Sequence, residues 1–240
     1  RADKTAGLCT IGIYFAVRIF SFSDGFYTKL ICIAGITSAI IHAIKAVRKT
    51  DTAGILSSSS SSVFGIIIIL TALGKVDSAV LFFIIHAFAK TILYFINERT
   101  KDISGIGLCE KTALIIASLS LSGLFFGGLT SFCRLINGLS PYKPLLFSGV
   151  SALFLTAFYT AKIYYLINHS NFGQKPGAEA DRTDIAAILL PCMFLIIPGF
   201  VFNTDNLNIT VFISYLICFT GAILGYYCIK RHNGVSEENK

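Results

Sequence analysis

Charge is what this sequence lacks most. Only 14% of its 240 residues are Asp, Glu, Lys or Arg, well below the roughly 25% of a soluble domain. With 54% hydrophobic residues and a mean hydropathy of +0.73, this excludes an ordinary water-soluble globule and points to a polytopic membrane protein. Also missing are any G-x-G-x-x-G and any C-x-x-C among the seven cysteines, Cys9, Cys32, Cys109, Cys133, Cys192, Cys218 and Cys228. Those absences remove the usual signatures of a dinucleotide site and an iron–sulfur cluster. Six of the cysteines lie in or near apolar runs and read as free thiols acting as small hydrophobes. Methionine occurs once, at Met193, and the chain opens on Arg1, so Arg1 is expected to follow a processing cut or a truncation. The polar opening residues do not have the basic, apolar and cleavage regions of a signal peptide.

What is there is a series of apolar segments of about spanning length, near 20 residues. They run from Gly7 to Phe22, Leu30 to Val47, Gly54 to Leu73, Ser78 to Asn97, Thr112 to Ile136, Leu145 to Ile167, Ile185 to Asn203 and Asn208 to Ile229. The expected fold is therefore all-α, a bundle of about eight transmembrane helices. Residues 1–240 form a single transmembrane domain, with 230–240 as a polar tail. Twenty basic against thirteen acidic residues give a net charge of +7. In a soluble chain that would raise the question of nucleic acid; here the basic residues fall between apolar runs and set orientation, so no nucleic-acid partner is expected. An even number of spans puts both termini on one side, and that side collects fourteen basic residues against five opposite, with Lys90 in mid-membrane. Such a bias places both termini in the cytoplasm or the mitochondrial matrix.

Within these spans three features stand out. Ser57 to Ser62 precede a run of isoleucines and read as a close-packing helix face, because small residues let membrane helices approach. Ser122 to Thr130 carries Gly123, Gly127 and Gly128 near the middle of the fifth span. Such a stretch either unwinds, as in discontinuous transporter helices, or simply packs tightly. The fourth span holds His86 and Lys90, four residues apart and on one helix face. An ionisable group at the bilayer centre costs at least about 2.5–3.5 kcal/mol on insertion scales, so it usually faces protein or water. The pair reads either as a proton-handling site or as two polar groups satisfied at a helix contact.

Four motifs in order then resemble the proton-pumping, antiporter-like membrane subunits of respiratory complex I. Thr10 to Arg18 is similar to the family's T-A-G-x-Y-L-x-x-R, and Asp51 to Gly65 aligns without gaps to D-I-K-K-V-L-A-Y-S-T-I-S-Q-L-G. The stretch around His86 and Lys90 resembles T-H-A-F-F-K-A-L-L-F, followed by Asp102 to Leu108 for D-I-R-K-M-G-G-L. Leu155 to Lys162 resembles the L-T-A-F-Y-S-x-R of the distal subunit, subunit five in mitochondria and subunit L in bacteria. Hydrophobic subunits of multisubunit sodium/proton antiporters share that pattern.

The resemblance covers nearly the whole chain but only the later half of a family member. It implies the second inverted repeat, with one discontinuous helix, plus the helices that follow, as expected of a split or truncated subunit. The earlier helices would come from a separate chain, alongside other membrane-arm subunits and lipids. It implies part of a proton-translocating NADH:ubiquinone reductase in the mitochondrial inner membrane with both termini on the matrix side. No cofactor is expected in this chain, and NADH, FMN, iron–sulfur clusters and quinone belong elsewhere in the complex. A sodium/proton antiporter subunit and a non-conducting structural remnant are the alternatives.

By match to the motif, His86 and Lys90 are the relay. Lys4 is either an entry to the axis or an interfacial snorkelling lysine. The exit-side lysine of the family is replaced by Arg134, which stays protonated at any relevant pH and tunes neighbours rather than relaying a proton. Phe82 stands where the family has its first histidine, and Ala53-Gly54 where it has a lysine pair. These departures put the output half of the path in question.

Overall fold

A computed structural model describes residues 25–102, 107–124, 126–169, 188–196 and 209–238. In chain order the helices are α1 (Gly25–Arg48), α2 (Thr52–Ala72), α3 (Val76–Asp102), α4 (Leu108–Leu121), α5 (Phe126–Leu139) and α6 (Lys143–His169), followed by α7 (188–196) and α8 (Ile209–Glu238). Among the described residues there is no strand. Five helices, α1, α2, α3, α6 and α8, are each long and apolar enough to cross a membrane. The protein is a multi-pass, all-α membrane bundle. The expected first span, Gly7 to Phe22, lies outside the described residues, as do Lys4 and Cys9. Pro191 sits buried inside α7, Pro198 falls outside the described residues, and α8 continues as helix to Glu238, through most of the expected polar tail.

The expected fifth span is two pieces. At 14 residues each, α4 and α5 reach only about 21 Å, short of the roughly 30 Å hydrocarbon core. The break falls at Gly123, whose φ of +70° lies in the left-handed region that glycine tolerates best. Gly123 N–H donates to Ser120 O (3.3 Å) and Leu124 N–H to Leu119 O (3.2 Å), the paired bonds of a Schellman stop. Gly127 and Gly128 lie inside the first turn of α5. Gly128 is needed for close approach instead, since a Cβ there would collide with the Ser120 carbonyl of α4.

Burial ranks the helices. Just over half of the α2 and α3 spans is buried (56% each), against 33% for α1 and 28% for α8, so α2 and α3 are central and the other two are peripheral. Short connections make α1–α2 and α2–α3 antiparallel hairpins. Gly65 of α2 meets α1 so closely that a Cβ would sit 2.6 Å from Gly35 O and 2.7 Å from Ala39 N. Ser62 adds a hydrogen bond from its hydroxyl to Ala39 O at 2.9 Å. The serine run is thus a packing face over part of its length. Asp51 starts α2 by accepting from Gly54 N–H at 2.6 Å, an N-cap.

The Leu155 to Lys162 motif lies on α6 and ties distant helices together. Thr156, Ala157, Tyr159 and Thr160 are buried, and Lys162 Nζ donates to Val47 O (2.8 Å) and Lys49 O (2.6 Å), capping the carbonyl end of α1. Helix α8 runs parallel to α6, with Gly221 against Phe154 and Gly225 against Phe158. The described cysteines are all free.

Gly65→Val should drive α1 away from α2 and destabilise the bundle by about 1–3 kcal/mol. This would be read as a lower thermal midpoint in detergent, whereas Ser57→Ala on the exposed side of α2 should leave the midpoint unchanged. Equal midpoints for both variants would refute close packing at this crossing.

Candidate functional site

Helix α3 places His86 and Lys90 on one face, both buried at 4% and 6% exposure. The partners come from α2, the helix across that face. Lys90 Nζ donates to Leu56 O at 2.5 Å and to Ser59 Oγ. The same carbonyl accepts from the Ser59 (2.9 Å) and Ser60 (3.1 Å) hydroxyls. Lys90 Nζ thus shares the Leu56 carbonyl with two hydroxyl donors, and the Ser59 oxygen supplies the second acceptor that a buried amine needs. The Tyr94 ring stands 6.0 Å from Nζ.

His86 is less committed. The Phe64 ring meets it edge-on at 5.9 Å, and Nδ1 has no hydrogen-bond partner. A buried imidazole nitrogen without a partner carries a desolvation penalty, so this is where a water or a transferred proton would be accommodated. Tyr159 of α6 is fully buried beside Thr156 and Ser62, and its hydroxyl makes no aligned hydrogen bond. Buried hydroxyls at Ser59 and Ser62 on α2 and at Thr156, Tyr159 and Thr160 on α6 thus line the inside of the bundle, with Ser59 on Lys90 and Ser62 beside Tyr159, a grouping the sequence reading did not name.

Arg134 is not brought to this site. Its Nη1 donates to Ser78 Oγ at 3.0 Å, and Ser131 Oγ donates to Ser78 O at 3.3 Å. Ser78 lies twelve residues before Lys90 on α3, about 18 Å along the helix. Between the two levels Phe82, fully buried, meets Phe132 of α5 as a T-shaped pair at 5.3 Å. The phenylalanine that replaces the family's first histidine thus packs against the broken helix, and an apolar contact occupies the stretch from His86 down to Arg134.

A buried ion pair was also not anticipated. Glu110, 4% exposed, lies in the first turn of α4 with Oε1 2.9 Å from Arg99 Nε, although that oxygen takes no aligned hydrogen bond. Its Oε2 accepts from Gly107 N–H at 2.7 Å, the glutamate half of a capping box. Starting the span at Thr112 left Glu110 in a loop. The helix starts four residues earlier, and that turn carries the carboxylate inward.

Residues 5–122 match the transmembrane family described as NADH:quinone oxidoreductase/Mrp antiporter. Subunit L of the NADH-quinone oxidoreductase of Pseudomonas aeruginosa is 25% identical, with 80% of this chain and 34% of the relative covered. The chloroplastic NAD(P)H-quinone oxidoreductase subunit 5 of Mesostigma viride is 27% identical over 75% of this chain and 31% of its own length. The chain is similar to this antiporter-like family, whose model matches just under half of it. A further subunit L, from Campylobacter jejuni, is 26% identical over 98% of this chain and 45% of the relative. A solved Mrp complex from a Dietzia species shares the fold, with a TM-score of 0.69, 18% identity, and 92% of this chain and 29% of that chain covered. The chain spans about a third to a little under half the length of these curated relatives. The family match includes Ser59, His86, Lys90 and Glu110 and stops one residue before Gly123.

Removing the Arg99 cation should leave the Glu110 carboxylate buried without its counter-charge, a loss of about 3–5 kcal/mol. The expected outcome is a large drop in thermal midpoint for Arg99→Met and recovery of most of it in the R99M/E110Q double variant. A wild-type midpoint for R99M would show that the pair contributes nothing.

Proposed function

We propose that this antiporter-like chain is a membrane-arm component of a proton-translocating NADH:quinone oxidoreductase, and that it contributes the His86 and Lys90 portion of a proton path. The observation that carries the reading is Lys90 itself, a buried ammonium held by Leu56 O and Ser59 Oγ, one turn from a buried histidine with an unpartnered nitrogen. Its position matches the lysine of the family motif. A lysine and a histidine in series can pass a proton through water-bridged steps, because each can both hold and release one. Ser59 acts as a positioning residue for Lys90.

The chain itself supplies no electron transfer in this proposal. NADH, FMN, iron–sulfur clusters and quinone are bound by other parts of the assembly, and charge movement is this subunit's share. The rest of the antiporter-like architecture, on this polypeptide or another, completes the pump, and Lys4 is assigned to the entry side. Arg134 is assigned an electrostatic role at the far end of α3, with Gly123 as the point where the broken helix can expose carbonyls. The proposed location is the mitochondrial inner membrane with both termini on the matrix side. Of the cations on described elements, Lys45, Arg48, Lys49, Arg99, Lys111, Lys162, Lys230 and Arg231 gather at one end of the bundle and Lys29, Lys75, Arg134 and Lys143 towards the other. That distribution favours the first end as the matrix face.

The second reading is a subunit of a multisubunit sodium/proton antiporter. The family description spans both kinds of complex, and the Dietzia neighbour supports it. The two separate on a native gel of mildly solubilised membranes. The expected result is co-migration of this chain with a band that oxidises NADH. Its absence from every such band, with recovery among antiporter subunits, would overturn the proposal in favour of the second reading.

A further inference from the structure

Helices α4 and α8 both pack on α6, and between their facing sides a groove of about 290 Å³ is left open. Its lining is almost wholly apolar: Ile115 and Leu119 form one wall, Ala161 lies on the floor, and Phe219, Ile223 and Tyr227 form the other wall. The foot of the groove is closed where Tyr215 Oη donates to Leu124 O at 3.0 Å, joining α8 to the end of α4. From Ile115 to Ser122, and from Phe219 to Tyr227, the walls rise about 10–12 Å. That is somewhat less than one leaflet, which is half of the roughly 30 Å hydrocarbon core.

The other end is basic on both sides. Lys111 precedes Ile115 by one turn on the same face of α4, while Lys230 and Arg231 follow Tyr226 and Tyr227 by one turn on the same face of α8. All three cations are exposed. An apolar slot a little shallower than one leaflet thus ends between cations contributed by each of its walls, on the side where headgroups lie. A protein helix seated there would have no use for that charge, and a zwitterionic lipid would gain little from it.

We propose that this groove binds an anionic phospholipid from the surrounding bilayer, with one acyl chain along Ile115, Ala161 and Ile223 and the phosphate between Lys111 and the Lys230–Arg231 pair. The site is separate from His86 and Lys90 and stands whether or not the chain conducts protons. Juxtamembrane cations are the usual electrostatic attraction for acidic headgroups, and the slot adds chain selectivity to it.

The test uses the assembled complex in vesicles of mixed phosphatidylcholine and phosphatidylglycerol, doped with one lipid or the other carrying a photoactivatable acyl chain. Crosslinks are mapped by mass spectrometry. Phosphatidylglycerol should label 115–122 and 219–227 at least about tenfold more than phosphatidylcholine, a preference that the K111E/K230E/R231E variant removes. Ala161→Phe, which fills the floor without touching charge, should abolish labelling by both lipids while the complex still assembles. Equal labelling by the two lipids, labelling indifferent to charge reversal, or crosslinking of these peptides to a neighbouring subunit in place of lipid would each overturn the proposal.

Discussion

An ammonium group held in the middle of a helix bundle is the constraint to which the rest of this structure answers. Bringing Lys90 there costs at least about 2.5–3.5 kcal/mol on insertion scales, and α2 offsets it with the Leu56 carbonyl and the Ser59 hydroxyl. That requirement fixes the face α2 turns to α3. Next to that face, α2 is small enough for α1 to come close, with Ser62 and Gly65 on α2 meeting Ala39 and Gly35 on α1. Lys162 holds the far end of α1 from α6. The polar centre and the tight periphery are consequences of the same placement.

The same geometry limits what the site can do. Lys90 is joined to Leu56 O and the Ser59 hydroxyl on α2, whereas towards Arg134 the side chains are Phe82 and Phe132 in edge contact. On the proposed function, a proton leaving Lys90 has its nearest polar partner in Ser59 of α2. Arg134, always charged and bonded to Ser78, sets a fixed potential at that end. On the proposed function, an output route along α3 would have to pass the apolar contact of Phe82 and Phe132.

Much of this was legible in the sequence, for reasons that can be named. Long apolar runs report spans directly, because every backbone group must be satisfied within the bilayer, and His86 and Lys90 are conspicuous against that background. The serine run, read as a packing face, is one at Ser62, whereas Ser57 is exposed and Ser59 holds Lys90. The partner of Lys90 was not legible, because Leu56 O is a backbone atom 34 residues away and no side-chain pattern announces it. Three glycines were equal candidates for the helix break, and only backbone dihedrals distinguish Gly123 at +70° from Gly127 and Gly128 inside a helix. Glu110 was missed because a helix start misplaced by a single turn decides whether a carboxylate faces water or Arg99.

The most direct test of the account is the number of protons moved per NADH oxidised when Lys90 alone is replaced by methionine. Methionine preserves length and packing and removes the charge. The assembled complex should still oxidise NADH, with quinone as acceptor, while moving fewer protons for each NADH consumed. A wild-type proton ratio in a fully assembled Lys90→Met complex would contradict the claim that this buried lysine carries protons.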